Sequence, residues 1–319
     1  MELPVRIAKT ALWAAPRVVT AAEASAEVGR SERWIIERTG VRERRRFDGL
    51  PEVQAAEAAR PLLADAPVDL IINASATPRQ LIPDTAVFVA RELGLNGVPA
   101  YSIHATCLSF LVALRHAAAL VASGLHHRVL VVSSEIASRS LDPDQPESAA
   151  LLGDGAAAAI VEPGATDQGI LAWRMHTYPE GAEFTEFAGA GMRQHPNDPT
   201  TTPDHNRFHM NGPRIYRAAR KRVGELLDEL WQATGHTAAD VDLVVPHQAS
   251  GNGLASLQKY GFEAGRVVDI LGSYGNCIAA SIPMALAQAD ADGRLQRGQL
   301  VLLLGTGAGL SVGGALLRW

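Results

Sequence analysis

The chain repeats itself. Val68-Asp-Leu-Ile-Ile72 returns as Val241-Asp-Leu-Val-Val245, and Arg128-Val-Leu-Val-Val-Ser133 returns as Gln299-Leu-Val-Leu-Leu-Leu304. Cys107, ahead of the small-residue run Leu108-Ser-Phe-Leu-Val-Ala-Leu114, returns as Cys277 ahead of Ile278-Ala-Ala-Ser-Ile-Pro-Met-Ala-Leu286. The Gly-rich run from Gly155 returns in the segment that ends at Trp319. One such agreement arises by chance. Four in the same order and at nearly one spacing point to two copies of an α/β unit. In a chain of 319 residues each copy takes about half, 1–165 and 166–319.

The local patterns say what each copy contains. The runs at 68–73 and 128–133 are short and rich in branched residues, as buried strands require. Between them, Ala105 to Ser123 has helical length and closes on Gly124, a suitable C-terminal stop. Gly153 to Glu162 reads as a Gly-opened strand, and a helix starts near Pro213. Asp142 to Glu147 reads as a loop, and 176–214 as an irregular insertion rich in Gly, Pro, Asn and His. Alternation of strands and helices implies a layered α/β fold with helices on each sheet. Composition agrees: 47% of residues are hydrophobic but only 5% aromatic, with 29 glycines, so the core is built from small side chains. The helices behind Cys107 and Cys277 are therefore expected to lie buried between the sheets.

Several function classes fall away. A net charge of −5 argues against a general nucleic-acid binder. Five arginines between Arg38 and Arg46 lack interleaved aromatics and read as a ligand-facing or solvated surface. No apolar run is long enough for a membrane span. Two cysteines cannot make a disulfide framework, and the acidic start Met1-Glu2-Leu3-Pro4 lacks the pattern of a secretory leader. A cytoplasmic location is the expectation. His205 and His209 have the spacing of a helical metal pair, but Pro203 and Gly212 bracket a loop, and no metal is expected. Gly305-Thr-Gly-Ala-Gly309 lies too near the end of the chain for a dinucleotide-binding turn and reads as close packing.

Three residues remain for chemistry. A thiol at a helix start, as expected for Cys107, sits near free N–H groups that stabilise thiolate and hold an oxyanion. Simple packing accounts for such a Cys equally well, and is the preferred reading for Cys277. His247 follows a predicted buried strand, where ligand groups gather in α/β sheets; a structural His is the alternative. Asn276 lies in a Gly-flanked turn before the second buried helix. In a duplicated fold the three could converge on one site.

Together these segments resemble the β-ketoacyl-acyl carrier protein synthase III family. The resemblance is carried by Ser31-Glu-Arg-Trp34-Ile-Ile-Glu-Arg38-Thr-Gly-Val-Arg-Glu-Arg, His104-Ala-Thr-Cys107-Leu-Ser-Phe and Gly153-Asp-Gly-Ala-Ala-Ala-Ala. His247-Gln-Ala and Tyr274-Gly-Asn276-Cys-Ile-Ala-Ala-Ser-Ile-Pro complete it. It implies a five-layered αβαβα thiolase fold of two duplicated α/β halves, a homodimer, and a Cys107, His247, Asn276 catalytic set. It implies an acyltransferase that loads Cys107 from acyl-CoA. Decarboxylative condensation with malonyl-CoA or malonyl-acyl carrier protein follows, with no metal or redox cofactor. Trp34 would stack on the adenine of CoA, Arg38 would lie toward its phosphates, and Ile82 would enter the acyl pocket of a partner subunit. Thr306 and Ala308 would line the substrate site, and Arg217, Arg220, Lys221 and Arg222 would supply charge for carrier docking.

Departures from the family pattern point to a specialised fatty-acid or polyketide-type pathway. Asp144-Gln-Pro146-Glu147 stands where the family has an Arg, and Ser250 and Asn252 replace an Asn and a basic docking residue. Thr306-Gly-Ala-Gly-Leu310 replaces Phe-Gly-Gly-Gly-Phe. The alternatives are condensation of two acyl-CoAs, acyl transfer to a small acceptor, or a silent subunit that binds CoA thioesters.

Overall fold

The computed structural model describes residues 3–319, so Met1 and Glu2 of the N-terminal reading lie outside the described residues. The duplication is visible in the strand order. One sheet runs Val5–Ala14, Asp154–Pro163, Val129–Ile136, Leu70–Asn73, Ala100–Ser102. The other runs Gly169–Thr177, Ser311–Arg318, Leu300–Gly307, Leu243–Pro246. The senses match pair by pair. Leu70–Asn73 and Leu243–Pro246 pair parallel with their neighbours, and every other pairing in this series is antiparallel. In place of the fifth strand the second sheet has a single bridge, Val244 to Val267.

Strand period dictates the layers, because alternate residues face opposite sides. Leu70, Ile72, Val129 and Val131 face inward with Leu243, Val245, Val301 and Leu303, onto one shared cluster. Ile71, Leu130 and Val132 face outward onto Ala55, Ala58 and Ala59 of helix Pro51–Ala59. On the other flank Val244, Leu302 and Leu316 meet Leu226, Leu227 and Leu230 of helix Gly212–Thr234. Two helices, Ser109–Ala122 and Ser281–Ala291, fill the space between the sheets. Their Ala113, Ala117, Ala118, Ala285 and Ala289 are wholly buried, which explains the alanine-rich composition. The order is helix, sheet, helix, sheet, helix, the five layers expected.

Some local readings shift. Helix Ser109–Ala122 starts later than Ala105, and Gly124 follows it in the left-handed conformation (φ 76°). Pro146 opens a short helix, Pro146–Leu151, inside the stretch read as a loop. The arginine run divides: Arg38 and Arg42 are exposed, whereas the residues from Arg44 to Arg46 turn to the protein. Arg44 is buried, donates to the Ala149 and Leu152 carbonyls and pairs with Glu27 at 2.9 Å. Arg46 shares Glu27, and Arg45 lies over the Tyr274 ring. Among the described residues, no group of three or more His, Cys, Asp or Glu is placed to hold a metal. His205 instead accepts from the Thr202 amide and His209 bonds Gln145. No described helix is long and apolar enough to cross a membrane.

Candidate active site

The loop after strand Leu243–Pro246 and the segment between strand Ala100–Ser102 and helix Ser109–Ala122 come together around Gly305. His247 follows strand Leu243–Pro246, its amide donating to the Leu304 carbonyl at 2.8 Å. Gly305 sits beside it at a crowded point. A Cβ there would lie 2.9 Å from Leu108 and 3.1 Å from the Cβ of His247. Gly305 thus lets the His247 loop close on the segment that carries Cys107. Gly307 has the same role one step further, since a Cβ there would stand 2.6 Å from Thr106 Oγ1.

Cys107 is half-buried, with the backbone N–H groups of Ala308 and of Cys107 itself near enough to favour its thiolate. Those donors lower its pKa, but burial outweighs them and pushes the thiol up to about 12, with the charge of Glu135 adding to the rise. The expected thiolate stabilisation by a helix dipole is therefore not found. The helix starts two residues later, at Ser109, and the apolar surroundings cost the charged form more than two N–H groups return. Cys107 rests as a thiol.

His247 is 6% exposed, and its Nδ1 has no hydrogen-bond partner. Burial depresses its pKa to about 4, so the ring is neutral at physiological pH. Asn276 is also buried. Its Oδ1 accepts from the Ile278 amide at 2.9 Å, and its Nδ2 makes a long contact (3.4 Å) with the Ala249 carbonyl. Asn276 is also bridged to Leu151 and Gly153 through its backbone, at 2.9 and 3.0 Å. Three non-glycine residues in the left-handed region flank this site: Thr106 (φ 51°), Ile278 (φ 46°) and Leu310 (φ 54°). Such strain is held only where surrounding structure dictates it, often at functional sites. Cys277 packs in the core with its thiol toward the Tyr274 carbonyl, the structural role preferred for it.

A cavity of about 400 Å³ leads from solvent to His247 and Thr306. Arg38, Glu147 and Arg220 line it, and all three are substantially exposed, so they form its rim. Arg38 donates Nε and Nη2 to one oxygen of Glu147, at 3.0 and 2.9 Å. Trp34 lies one turn earlier on helix Glu32–Thr39, half-buried against Ala149 and Ala150, with Arg30 5.7 Å over its ring. It is not among the residues that line the cavity. Ile82 stands apart, 86% exposed beside exposed Leu81.

The basic helix face divides. Arg220 lines the cavity and Arg217 is exposed, neither with an ion-pair partner among the described residues. Lys221 reaches Glu225 at 3.8 Å, and Arg222 turns to Glu225 and the Tyr178 ring. Two acids escaped the sequence reading as site residues. Glu147 was visible in the loop before Gly153, but its pairing with Arg38 is a long-range contact. Glu135 ends a buried strand, the position that singled out His247, and deserved the same inference.

A five-layered fold built from two duplicated α/β halves is that of the thiolase-fold condensing enzymes. Residues 101–179 match the family model for 3-oxoacyl-[acyl-carrier-protein (ACP)] synthase III, and residues 231–319 match its C-terminal model. The chain is 37% identical to the beta-ketoacyl-[acyl-carrier-protein] synthase III of Erythrobacter litoralis, over 95% of both chains. It superposes on 3-oxoacyl-(acyl carrier protein) synthase III from Pseudomonas aeruginosa with a TM-score of 0.89 and 31% identity, covering 99% of this chain and 98% of that one. OleA from Xanthomonas campestris, at 24% identity and TM-score 0.87 over the whole of both chains, shares the fold. The chain belongs to the 3-oxoacyl-acyl carrier protein synthase III family.

Proposed function

We propose that the protein is a condensing enzyme that forms a carbon–carbon bond in two half-reactions. In the first, the Cys107 sulfur attacks an acyl-CoA thioester, and its proton passes to the departing CoA sulfur, giving acyl-Cys107 and free CoA. In the second, a malonyl thioester loses carbon dioxide to leave an enolate. The enolate carbon attacks the acyl carbonyl, and the Cys107 sulfur departs and regains a proton. The amides of Cys107 and Ala308 hold the oxyanion of the acyl group. Neutral His247 and Asn276 donate to the enolate oxygen; dipoles rather than a cation suit this task, because imidazolium would protonate the carbanion. Side chains and substrates suffice for this chemistry, so no metal or redox cofactor enters the proposal.

The observation that supports this reading is the close approach at Gly305, which packs between His247 and Leu108, the neighbour of Cys107, with His247 lining a cavity open to solvent. The assignment of the nucleophile to 1–165 and of His247 and Asn276 to 166–319 belongs to the same proposal. So does a cytoplasmic homodimer. The unpaired outer edge of strand Ala100–Ser102 and the exposed Leu81, Ile82 and Val87 support it, with Ile82 reaching the partner's acyl pocket. Malonyl-acyl carrier protein is the extender favoured by the free cations Arg217 and Arg220 near the rim. A specialised pathway is proposed because Thr306, a small residue, stands beside His247 where the extender reacts. That extra room also favours a second reading, acyl transfer to a small acceptor.

Incubation with acyl-CoAs of several lengths followed by intact mass tests the first half-reaction. A single adduct that vanishes in Cys107→Ala is expected, and no adduct with any acyl-CoA defeats the proposal. Carbon dioxide release on adding malonyl-acyl carrier protein separates condensation from plain acyl transfer.

A further inference from the structure

Gln145 joins two walls of the cavity. It immediately precedes helix Pro146–Leu151, whose Glu147 and Leu151 line the cavity on one side. Opposite stands the short strand His209–Met210, followed by helix Gly212–Thr234, and from there Met210 and Gly212 line the cavity. The two walls approach at Gly212, where a Cβ would lie 3.8 Å from both Glu147 Oε1 and Met210 Cε. Gln145 spans them with both ends of its side-chain amide. Its Oε1 accepts from the Met210 amide at 3.0 Å, and its Nε2 lies 2.6 Å from Nδ1 of His209.

This bridge fixes the state of His209. A backbone N–H can only donate, so the Gln145 oxygen must face Met210 and its NH₂ group must face His209. His209 Nδ1 must then accept, which a neutral ring with its proton on Nε2 does and an imidazolium does not. Turning the Gln145 amide over gives no relief, because its NH₂ group would then meet the Met210 N–H. A protonated ring has another acceptor in reach. Oδ2 of Asp142 lies 3.9 Å from the same Nδ1, beyond a hydrogen bond. The bonds that Asp142 accepts, from Arg207 and from the Asp144 amide at 3.1 Å each, both fall on Oδ1 and leave Oδ2 open to a new donor. Neighbouring charges are engaged elsewhere. Arg207 is shared among Asp142, Asp144 and Asp204, and Glu147 is held by Arg38. Glu186, opposite His209 in the two-stranded ribbon, pairs with Arg193 at 2.7 Å.

We propose that Gln145 is a positioning residue that sets the mouth of the cavity while His209 is neutral, and that protonation transfers His209 from Gln145 to Asp142 and loosens that wall against the acyl thioester. Histidine is the side chain that changes charge between pH 8 and pH 5, so the effect belongs to that range. The proposal rests on the reading of the cavity as the entrance for the acyl thioester.

An acyl-pantetheine is the probe, because it has no phosphate to titrate. Its KM for loading of Cys107 is expected to rise about threefold to tenfold from pH 7.5 to pH 5.5, the scale of one hydrogen bond lost. In His209→Gln, which offers an acceptor oxygen at every pH, KM is expected to stay level. Other groups that titrate in this range, Glu135 among them, are common to both proteins and cancel in the comparison. In Gln145→Glu a carboxylate faces both the Met210 amide and His209, so imidazolium becomes the better partner and KM is expected to fall as pH falls. A level KM in the unaltered protein, an equal rise in His209→Gln, or an unreversed rise in Gln145→Glu each overturns the proposal. Hydrogen exchange of peptides spanning 207–211, corrected for the intrinsic rate at each pH, reports the bridge without turnover and decides the matter if the variants do not fold. Protection in the unaltered protein is expected to drop severalfold from pH 7.5 to pH 5.5, and constant protection overturns the proposal. Absence of loading at every pH counts instead against the reaction proposed above, whereas the exchange result still tests the bridge.

Discussion

The rim of the cavity contains an ion pair whose removal has a calculable effect. On the family resemblance Arg38 is the cation expected to meet the phosphates of CoA, yet both its Nε and its Nη2 are engaged by Glu147. The pair is 45% and 38% exposed, so it contributes little to stability and its strength is reduced by solvent. Its effect on a polyanion is different. A phosphate docking on Arg38 would sit roughly 5 Å from the Glu147 carboxylate. With a near-aqueous dielectric of about 60, the repulsion is roughly 1 kcal/mol per phosphate charge, about fivefold in affinity.

Glu147→Gln is therefore expected to lower the KM for acyl-CoA about fivefold at low salt while leaving kcat unchanged. The gain should shrink as ionic strength rises, because a few ångströms of open rim are screened within a Debye length of about 8 Å at physiological salt. The corresponding acyl-pantetheine, which carries no phosphate, is expected to show no change in KM. Initial rates of CoA or pantetheine release, measured across a salt series, provide the comparison. A higher KM for acyl-CoA would refute the reasoning, since it would mean that Glu147 orients Arg38 for the phosphates rather than competing with them. An equal gain for acyl-pantetheine would refute it too, by tying the effect to shape and not charge.

Burial holds the Cys107 thiol at about 12, so its alkylation by iodoacetamide should climb steadily from pH 7 to pH 10; a plateau near pH 8 would contradict the burial argument. His247 is held near 4 against an ordinary 6.5, so as pH falls from 6.5 to 4 the unfolded chain takes up a proton first, and stability declines by up to about 3 kcal/mol. Glu135, raised from 4.5 to about 7, has the opposite sign: the folded state keeps the proton longer, and its contribution declines as pH rises from 4.5 to 7. These effects offset each other, so urea unfolding of His247→Asn should show stability falling as pH rises from 4.5 to 6.5, more steeply than in the unaltered protein. An identical pH dependence in the two proteins would exclude the neutral buried imidazole. Ile82→Asp, which places a charge on a fully exposed apolar tip, should weaken self-association in sedimentation by at least tenfold; an unaffected oligomer would remove Ile82 from any interface.

What was legible in the sequence follows from the range of the interactions involved. The duplication could be read because each strand–helix unit carries its own periodic pattern, and two patterns in one order leave little freedom of topology. His247 could be singled out because it follows a buried strand, and Asn276 because it lies in a Gly-flanked turn before a buried helix, both local properties. The electrostatics could not be read so. The dipole argument for Cys107 used only its nearest neighbours in sequence, whereas its pKa is set by desolvation from layers folded over it. Arg44 departs from the surface reading of the arginine run for a similar reason. Arg44 is drawn inward by carbonyls of Ala149 and Leu152, more than a hundred residues away.

The same distinction explains why Glu135 and Glu147 escaped notice while the groups they act on did not. Cys107, Asn276 and Arg38 belong to motifs, contiguous stretches whose residue types announce a chemistry. Glu135 and Glu147 act on these motifs across the fold, one by opposing ionisation of Cys107 and the other by engaging the Arg38 guanidinium. A carboxylate carries no signature of its target, because accepting hydrogen bonds from amides or pairing with an arginine suits any loop that comes within reach. Only the folded chain specifies which loop that is. Reactivity in this enzyme is thus written in motifs, whereas its adjustment, the ionisation of Cys107 and the charge at the cavity rim, rests on single acids whose partners the topology selects.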